Sequence, residues 1–310
     1  MFRNIRFFRL EAPFELEDGE LEERLAERGF RPCGPIETQT MGWCSPLGGD
    51  SEVLVHSLNG CLLVTVRKQE RLLPSSVVAE ALDERVLEVE AAEGREVGRT
   101  ERRRLREDIL VELLPRAFTR SRRVRAYVDR SAGLAVVDAA SDKAAEEVIS
   151  LLRETLGSFP ATPPRPTGSP AAIMTDWVTG NSYPPTFIPG DECELRDVQD
   201  SKSVVRCRGQ DVAGEEIQTH LRAGKQVVKL ALDWDDRLAF VLSDDLSLKR
   251  LRVAEAVIEE AVDDGIEDEA ARFEAEFVII ALQLRELLTQ LQRIFGLTGA
   301  DAQSSASGSV

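Results

Sequence analysis

Hydrophobic residues recur along this chain in two rhythms, every second position and every third or fourth, and the changes between them mark out its elements. Residues 2–10 set Phe2, Ile5, Phe7 and Leu10 among Arg3, Arg6 and Arg9, which predicts a strand presenting basic groups on one side. A short amphipathic helix over 16–28 ends at Gly29. Strands over 53–57 and 61–67 flank Leu58-Asn59-Gly60, and Asn-Gly is a strong hairpin signal. Pro74 with Ser75 and Ser76 opens a helix whose Val78, Leu82, Val86 and Val89 recur at helical spacing until Gly94. A second helix spans 98–114 and stops at Pro115. Strands over 124–128 and 134–138 turn at Ser131-Ala132-Gly133, and Ser141 caps a helix over 142–156 with Ala145, Val148, Ile149 and Leu152 as its apolar stripe. The five prolines of 160–170 predict an extended linker.

The remaining residues repeat this logic. A helix over 171–178 precedes a hairpin of 192–196 with 204–208 and a helix over 214–222. Strands 227–233 and 238–242 pair across Trp234-Asp235-Asp236, and a strand-like run over 246–251 follows. Residues 255–276 hold ten acids and the single base Arg272, a last amphipathic helix runs over 273–295, and the Ser-rich tail is expected to be disordered. The pattern predicts an α+β fold of antiparallel sheets with flanking helices. Its expected division is an α+β part of a central domain (1–73), a helical basic arm (74–125), a hairpin with helix and Pro-rich linker (126–168), a C-terminal α+β domain (169–296) and a tail (297–310).

Charge changes the picture at one place. The chain carries a net charge of −16, yet residues 95–125 hold eleven arginines against five acids, a local balance of +6. At 100° per residue, Arg95, Arg99, Arg102, Arg103 and Arg106 share an arc of about 100°. Ile109, Leu110 and Leu113 then take over that arc, so the first half of the helix offers cations and the second half packs. The helix is roughly 25 Å long, about seven base-pair steps of duplex, so a polyanion is the partner to expect. The alternative is a solvated face laced with pairs such as Glu101 with Arg104 and Arg103 with Glu107, each contributing about 0.2–0.5 kcal/mol. Arg116, Arg120, Arg122 and Arg123 weigh for the polyanion, since they lie beyond the helix and its pairing.

Phe118, between Arg116 and Arg120, is open to three readings: a wedge or stacking platform for bases, an apolar anchor between subunits, or a buried turn residue. Arg206, Arg208 and Gln210 form a smaller basic patch, or simply an edge strand. The acidic pI of about 4.8 requires any such surface to be segregated from the acids.

Other chemistry is thinly supported. Cys33, Cys44, Cys61, Cys193 and Cys207 include no C-x-x-C pair, so reduced thiols and no structural zinc are expected. No phosphate-loop, dinucleotide or G-x-S-x-G fingerprint occurs. His56 and His220 read as structural. The best enzymatic candidate is a Mg²⁺-dependent nuclease built on Asp233, Asp235 and Asp236, with Asp191, Glu192 and Glu194. The Asp triplet equally suits a hairpin turn. No apolar run approaches the 18 residues or so of a membrane span, and MFRNIRFFRL lacks the features of a signal peptide. A cytoplasmic protein without cofactors is therefore expected.

Several blocks, FRNIRFFRL, RPCG, MGWCSPLG, RKQERLLPSSVV, LLPRAFTR, VDAASDKAAEEVISLLRETLGSFP, DECELRD, VVRCRGQD and AGKQVVKLALDWDDRLAFVL, make the chain resemble the bacterial recombination-associated protein RdgC family from Met1 to about Phe295. The resemblance implies an elongated curved subunit forming a ring-shaped homodimer. Its basic hole would surround double-stranded DNA, and bind single strands as well, without reading sequence. It further implies a non-enzymatic, nucleoid-associated protein that opposes RecA-promoted strand exchange. Phe118 matches an aromatic at the family's subunit contact that matters for DNA binding. Gln210 matches one of a Lys-Gln pair on the DNA side, whereas Gly209 stands where Lys is expected, with Arg208 as the nearest substitute.

Overall fold

The computed structural model describes residues 2–48, 51–261 and 269–297. Its centre is one antiparallel sheet of twelve strands, assembled from two runs of chain. The first run comprises β1 (Ile5–Leu10), α1 (Asp18–Ala26), β2 (Gln39–Cys44), β3 (Val55–Leu58), β4 (Cys61–Leu72), α2 (Ser75–Glu93), α3 (Arg99–Leu113), β5 (Phe118–Asp129), β6 (Leu134–Asp138), α4 (Asp142–Leu156) and β7 (Ala161–Thr162). The second comprises α5 (Pro170–Gly180), β8 (Phe187–Asp197), β9 (Val204–Arg208), α6 (Glu215–Arg222), β10 (Lys225–Trp234), β11 (Leu238–Ser243), β12 (Leu248–Val253), α7 (Glu255–Ala261) and α8 (Glu269–Ile294). The order is β2-β4-β5-β6-β1-β12-β11-β10-β8-β9, with β3 beside β4 and β7 beside β1. The α+β class, the antiparallel pairing and the flanking helices agree with the sequence pattern. No helix among the described residues is long and apolar enough to cross a membrane.

Alternation along β4 shows how the two faces of the first half-sheet are covered. Leu62, Val64 and Val66 enter a core with α1 and α4, while Cys61 and Leu63 enter a core with α8. The two half-sheets meet at a narrow seam, where β1 and β12 register at Ile5 and Leu248 and Leu251 N–H donates to Arg3 O at 2.8 Å. So short a seam cannot by itself hold two half-sheets in place. Helix α8 bridges it: Phe277 stacks on Phe2 at 6.3 Å and meets Tyr127 edge-on at 5.6 Å, while Leu284, Leu287 and Leu288 pack with Leu230, Phe240 and Leu242 of the second half. Arg285 Nε donates to the buried carboxylate of Asp129 at 2.6 Å.

Three features depart from the sequence reading. Strand β2 carried no clear alternation because Gly42 lies at its centre, where a Cβ would come within 2.6 Å of Phe30 Cα. Strand β5 starts at Phe118 rather than residue 124, since its arginine-rich end pairs with β4 as far as Leu72. The proline-rich segment is tied to the body, with Ala161 in register with Leu10 on β1 and Thr167 N–H donating to Phe295 O at 3.4 Å. The middle of the acidic run, residues 262–268, and the tail from residue 298 lie outside the described residues.

Candidate nucleic-acid interface

Strands β4 and β5 form a ribbon of twelve rungs, from Cys61 opposite Asp129 to Leu72 opposite Phe118. Because side chains alternate across a strand, the arginines of this ribbon divide between its two faces. On the α4 side, Arg122 and Lys68 both reach Glu147, at 3.1 and 2.7 Å, and Arg120 reaches Glu70 at 3.0 Å. These cations are already partnered.

On the other face, Arg123 lies opposite Arg67, and Arg125 follows two residues along. None of these three makes an ion pair among the described residues. The Arg67 guanidinium lies 4.4 Å from the centre of the Phe30 ring, and that of Arg125 lies 5.3 Å from the centre of the Phe273 ring. An aromatic face orients a cation without cancelling its charge. The three converge near Cys44, whose thiol burial pushes up while Arg123, Arg67 and Arg125 pull it down. The site is thus a short, partly covered cationic row on one face of the sheet, set by the register between β4 and β5.

The helical arm behaves differently from its sequence stripe. Helices α2 and α3 pack around Val78, Leu82, Val86 and Ile109, with Leu105, Leu110 and Leu113 beside them, as the shared arc predicts. Packing turns that arc towards α2, which is rich in acids. Arg102 pairs with Asp83, Arg95 with Glu93 at 2.5 Å and Glu101 at 2.7 Å, and Arg103 with Glu107 at 4.0 Å. Arg99, Arg104 and Arg106 make no ion pair among the described residues. From residue 74 to 114 the arm holds seven arginines against eleven acids, a balance of −4. Arg71 joins arm to ribbon by donating to the carbonyls of Gly34, Leu114 and Ala117 at 3.0, 2.8 and 3.2 Å. Arg116 sits in the 3-10 turn Leu114–Arg116 and is exposed.

Phe118 is 84 % exposed at the ribbon's end beside half-exposed Leu72, so it is not a buried turn residue. On the second patch, Arg206 pairs with Glu194 at 2.9 Å and Arg208 with Glu192 at 3.4 Å, so its charge is largely returned to the sheet. Glu194 also accepts from Lys229, and these cations hold its carboxyl below the usual range against the opposing effect of burial. Gly209 turns with φ +64°, a conformation in which a side chain is strained, and Gln210 N–H donates to Asp191 O at 3.2 Å.

The Asp triplet is spent on its turn. Asp235 and Asp236 have φ of 56° and 55°, Asp233 accepts from Asp236 N–H at 2.9 Å, and Asp235 pairs with Arg237 at 3.3 Å. Glu192 is held by Arg208 and Arg250. Among the described residues no three His, Cys, Asp or Glu side chains are grouped to hold a metal. His56 Nε2 lies 3.4 Å from Glu274, and His220 lines an open pocket with Cys207. Sequence reasoning passed over Arg67 and Arg125. Counting by twos from Arg123 brings Arg125 to its face, whereas Arg67 reaches it only through the β4–β5 register, which forms across the intervening α2 and α3.

The family model described as "Putative exonuclease, RdgC" matches residues 1–298. The chain is 44% identical over 296 residues to the recombination-associated protein RdgC of Pseudomonas aeruginosa strain PAO1, across 95% of this chain and 97% of that protein. It is 41% identical over 295 residues to the protein of the same name from Tolumonas auensis, across 95% and 98%. The counterpart from Aeromonas hydrophila is 39% identical over 303 residues, across 98% and 99%.

Proposed function

The chain belongs to the RdgC family, and from that premise we propose that it is a double-stranded DNA-binding protein that grips phosphates without reading bases, acts as a homodimer and moderates RecA-dependent recombination at the nucleoid. The observation that carries this reading is the row of Arg67, Arg123 and Arg125 on one face of the ribbon, none of which pairs with a carboxylate among the described residues. Arg99, Arg106 and Arg116 extend the basic surface towards the arm, and Arg95, Arg102, Arg103, Arg120, Arg122 and Arg208 contribute where a phosphate displaces their present partners. Phe118, exposed on the ribbon's end, is suited to the contact between two subunits. A closed ring of two subunits needs two contacts from each, and the β8–β9 turn with Gln210 is the candidate for the second.

Phosphate binding releases counterions, so log affinity falls linearly with log salt by about 0.9 per contacted phosphate. Fluorescence anisotropy of a labelled duplex across a salt series measures that slope. Replacing Arg67, Arg123 and Arg125 together by Gln is expected to weaken binding to unrelated duplexes alike and to flatten the slope. Unchanged affinity would remove this face from the site.

The family model's printed description raises a nuclease reading. It would need carboxylates converging on a metal, whereas Asp233, Asp235 and Asp236 are engaged in a turn and Glu192 and Glu194 in ion pairs. Incubating plasmid with the protein and Mg²⁺ separates the two: intact plasmid supports the binding protein, and metal-dependent degradation supports the nuclease.

A further inference from the structure

Strands β8 and β9 place Cys193 and Cys207 directly opposite one another, with both side chains on the face towards the α8 core. Asp197 N–H donates to Ser203 O at 3.1 Å, and the unbroken register then makes Cys193 and Cys207 a hydrogen-bonded pair. The Cα atoms of such pairs are about 5.5 Å apart, inside the roughly 4.4–6.8 Å that a disulfide spans. Bonding requires the two Cβ atoms to approach slightly. Among the described residues β9 ends the sheet and has β8 as its one strand neighbour, so no second strand opposes that shift. The other cysteines, Cys33, Cys44 and Cys61, face no cysteine across a strand pair.

The two sulfurs also differ in access. Cys193 is 1% exposed, whereas Cys207 is half-buried and lines an open pocket of about 810 Å³ with Arg206, Arg208, Gln210, Glu216 and His220. An oxidant therefore reaches Cys207 first and leaves Cys193 behind it. Burial, reinforced by neighbouring Cys207, raises the Cys193 thiol to about 12, so Cys193 remains protonated at neutral pH and is a poor first target.

We propose that Cys207 and Cys193 form a peroxide-responsive pair, Cys207 the attacked sulfur and Cys193 the resolving one, closing a cross-strand disulfide that ties the sheet's terminal strand to β8. In the first step the Cys207 sulfur attacks hydrogen peroxide, the O–O bond breaks, one oxygen is retained as sulfenic acid and water leaves. In the second, the Cys193 sulfur attacks Cys207, the S–O bond breaks and a second water leaves with the Cys193 proton. Two thiols are oxidised by two electrons and one peroxide is reduced. The bond tethers Arg206, Arg208 and the Gly209-Gln210 turn, whatever that turn contacts.

The test is peroxide treatment of the full chain, a thiol count under denaturing conditions and non-reducing peptide mapping by mass spectrometry. The five thiols are expected to fall to three, with one peptide pair joining Cys193 to Cys207 and reversal by a dithiol reductant. Cys207→Ser is expected to leave Cys193 reduced under the same treatment. Cys193→Ala, which keeps a small apolar group in the core, is expected to leave Cys207 as sulfenic acid, trapped by dimedone. Oxidation of Cys207 to sulfinic acid with Cys193 still free in the unmodified protein would overturn the proposal. So would oxidation of Cys193 in the Cys207→Ser protein.

Discussion

A guanidinium serves an anionic partner according to what it already touches. Arg102 and Arg122 hold carboxylates, and a phosphate must compete for them, whereas Arg67, Arg123 and Arg125 lie against aromatic rings, a thiol and one another. Replacing Arg102 by Gln is thus expected to reduce duplex affinity less than replacing Arg123, as parallel anisotropy titrations would show. Phe118 is exposed, so Phe118→Ala should change the stability of the subunit by no more than about 0.5 kcal/mol while, if the proposed homodimer forms through it, shifting that dimer towards monomer. Thermal unfolding together with sedimentation velocity separates the two effects. Glu37 gives a pH prediction of known sign. Hydrogen bonds from Arg31 and from Gly34 N–H hold its carboxyl at about 2, so the clasp of the 31–37 loop persists well below the ordinary carboxylate range and loosens only as pH falls towards 2. Titration by NMR should show that midpoint, and Arg31→Ala should return it towards the value of a free glutamate.

At the scale of elements, local chemistry accounts for most starts and stops. Ser141 Oγ accepts from Ala144 N–H at 3.3 Å and Gly157 closes α4 in the left-handed region, as the capping pattern leads one to expect. Ser141→Ala should cost about 1 kcal/mol in chemical denaturation. Asn59 and Gly60, with φ of 49° and 77°, make the turn that feeds the ribbon. Strand β2 was the least legible element, because a glycine at its centre is required by the backbone of Phe30 crossing beside it, and that crossing leaves no mark on the alternation. Gly42→Ala is expected to destabilise the protein by about 1–3 kcal/mol or more, read from the denaturation midpoint, since it is backbone that would have to move.

For the molecule as a whole, α8 and the short β1–β12 seam decide whether two half-sheets behave as one. Phe277→Ala removes the ring between Phe2 and Tyr127 and should cost about 3–5 kcal/mol. Loss of a single cooperative transition in that variant would show that the halves unfold separately. The sequence by itself determined the α+β class, the hairpins and caps, the family, and the fact that arginines concentrate between residues 95 and 125. These follow from local periodicity, turn chemistry and composition, which act over a few residues. Only tertiary structure decided which of those arginines remain free. The carboxylates that neutralise the others, Asp83 for Arg102 and Glu147 for Arg122, lie 19 and 25 residues away, and helix packing and strand register bring them close.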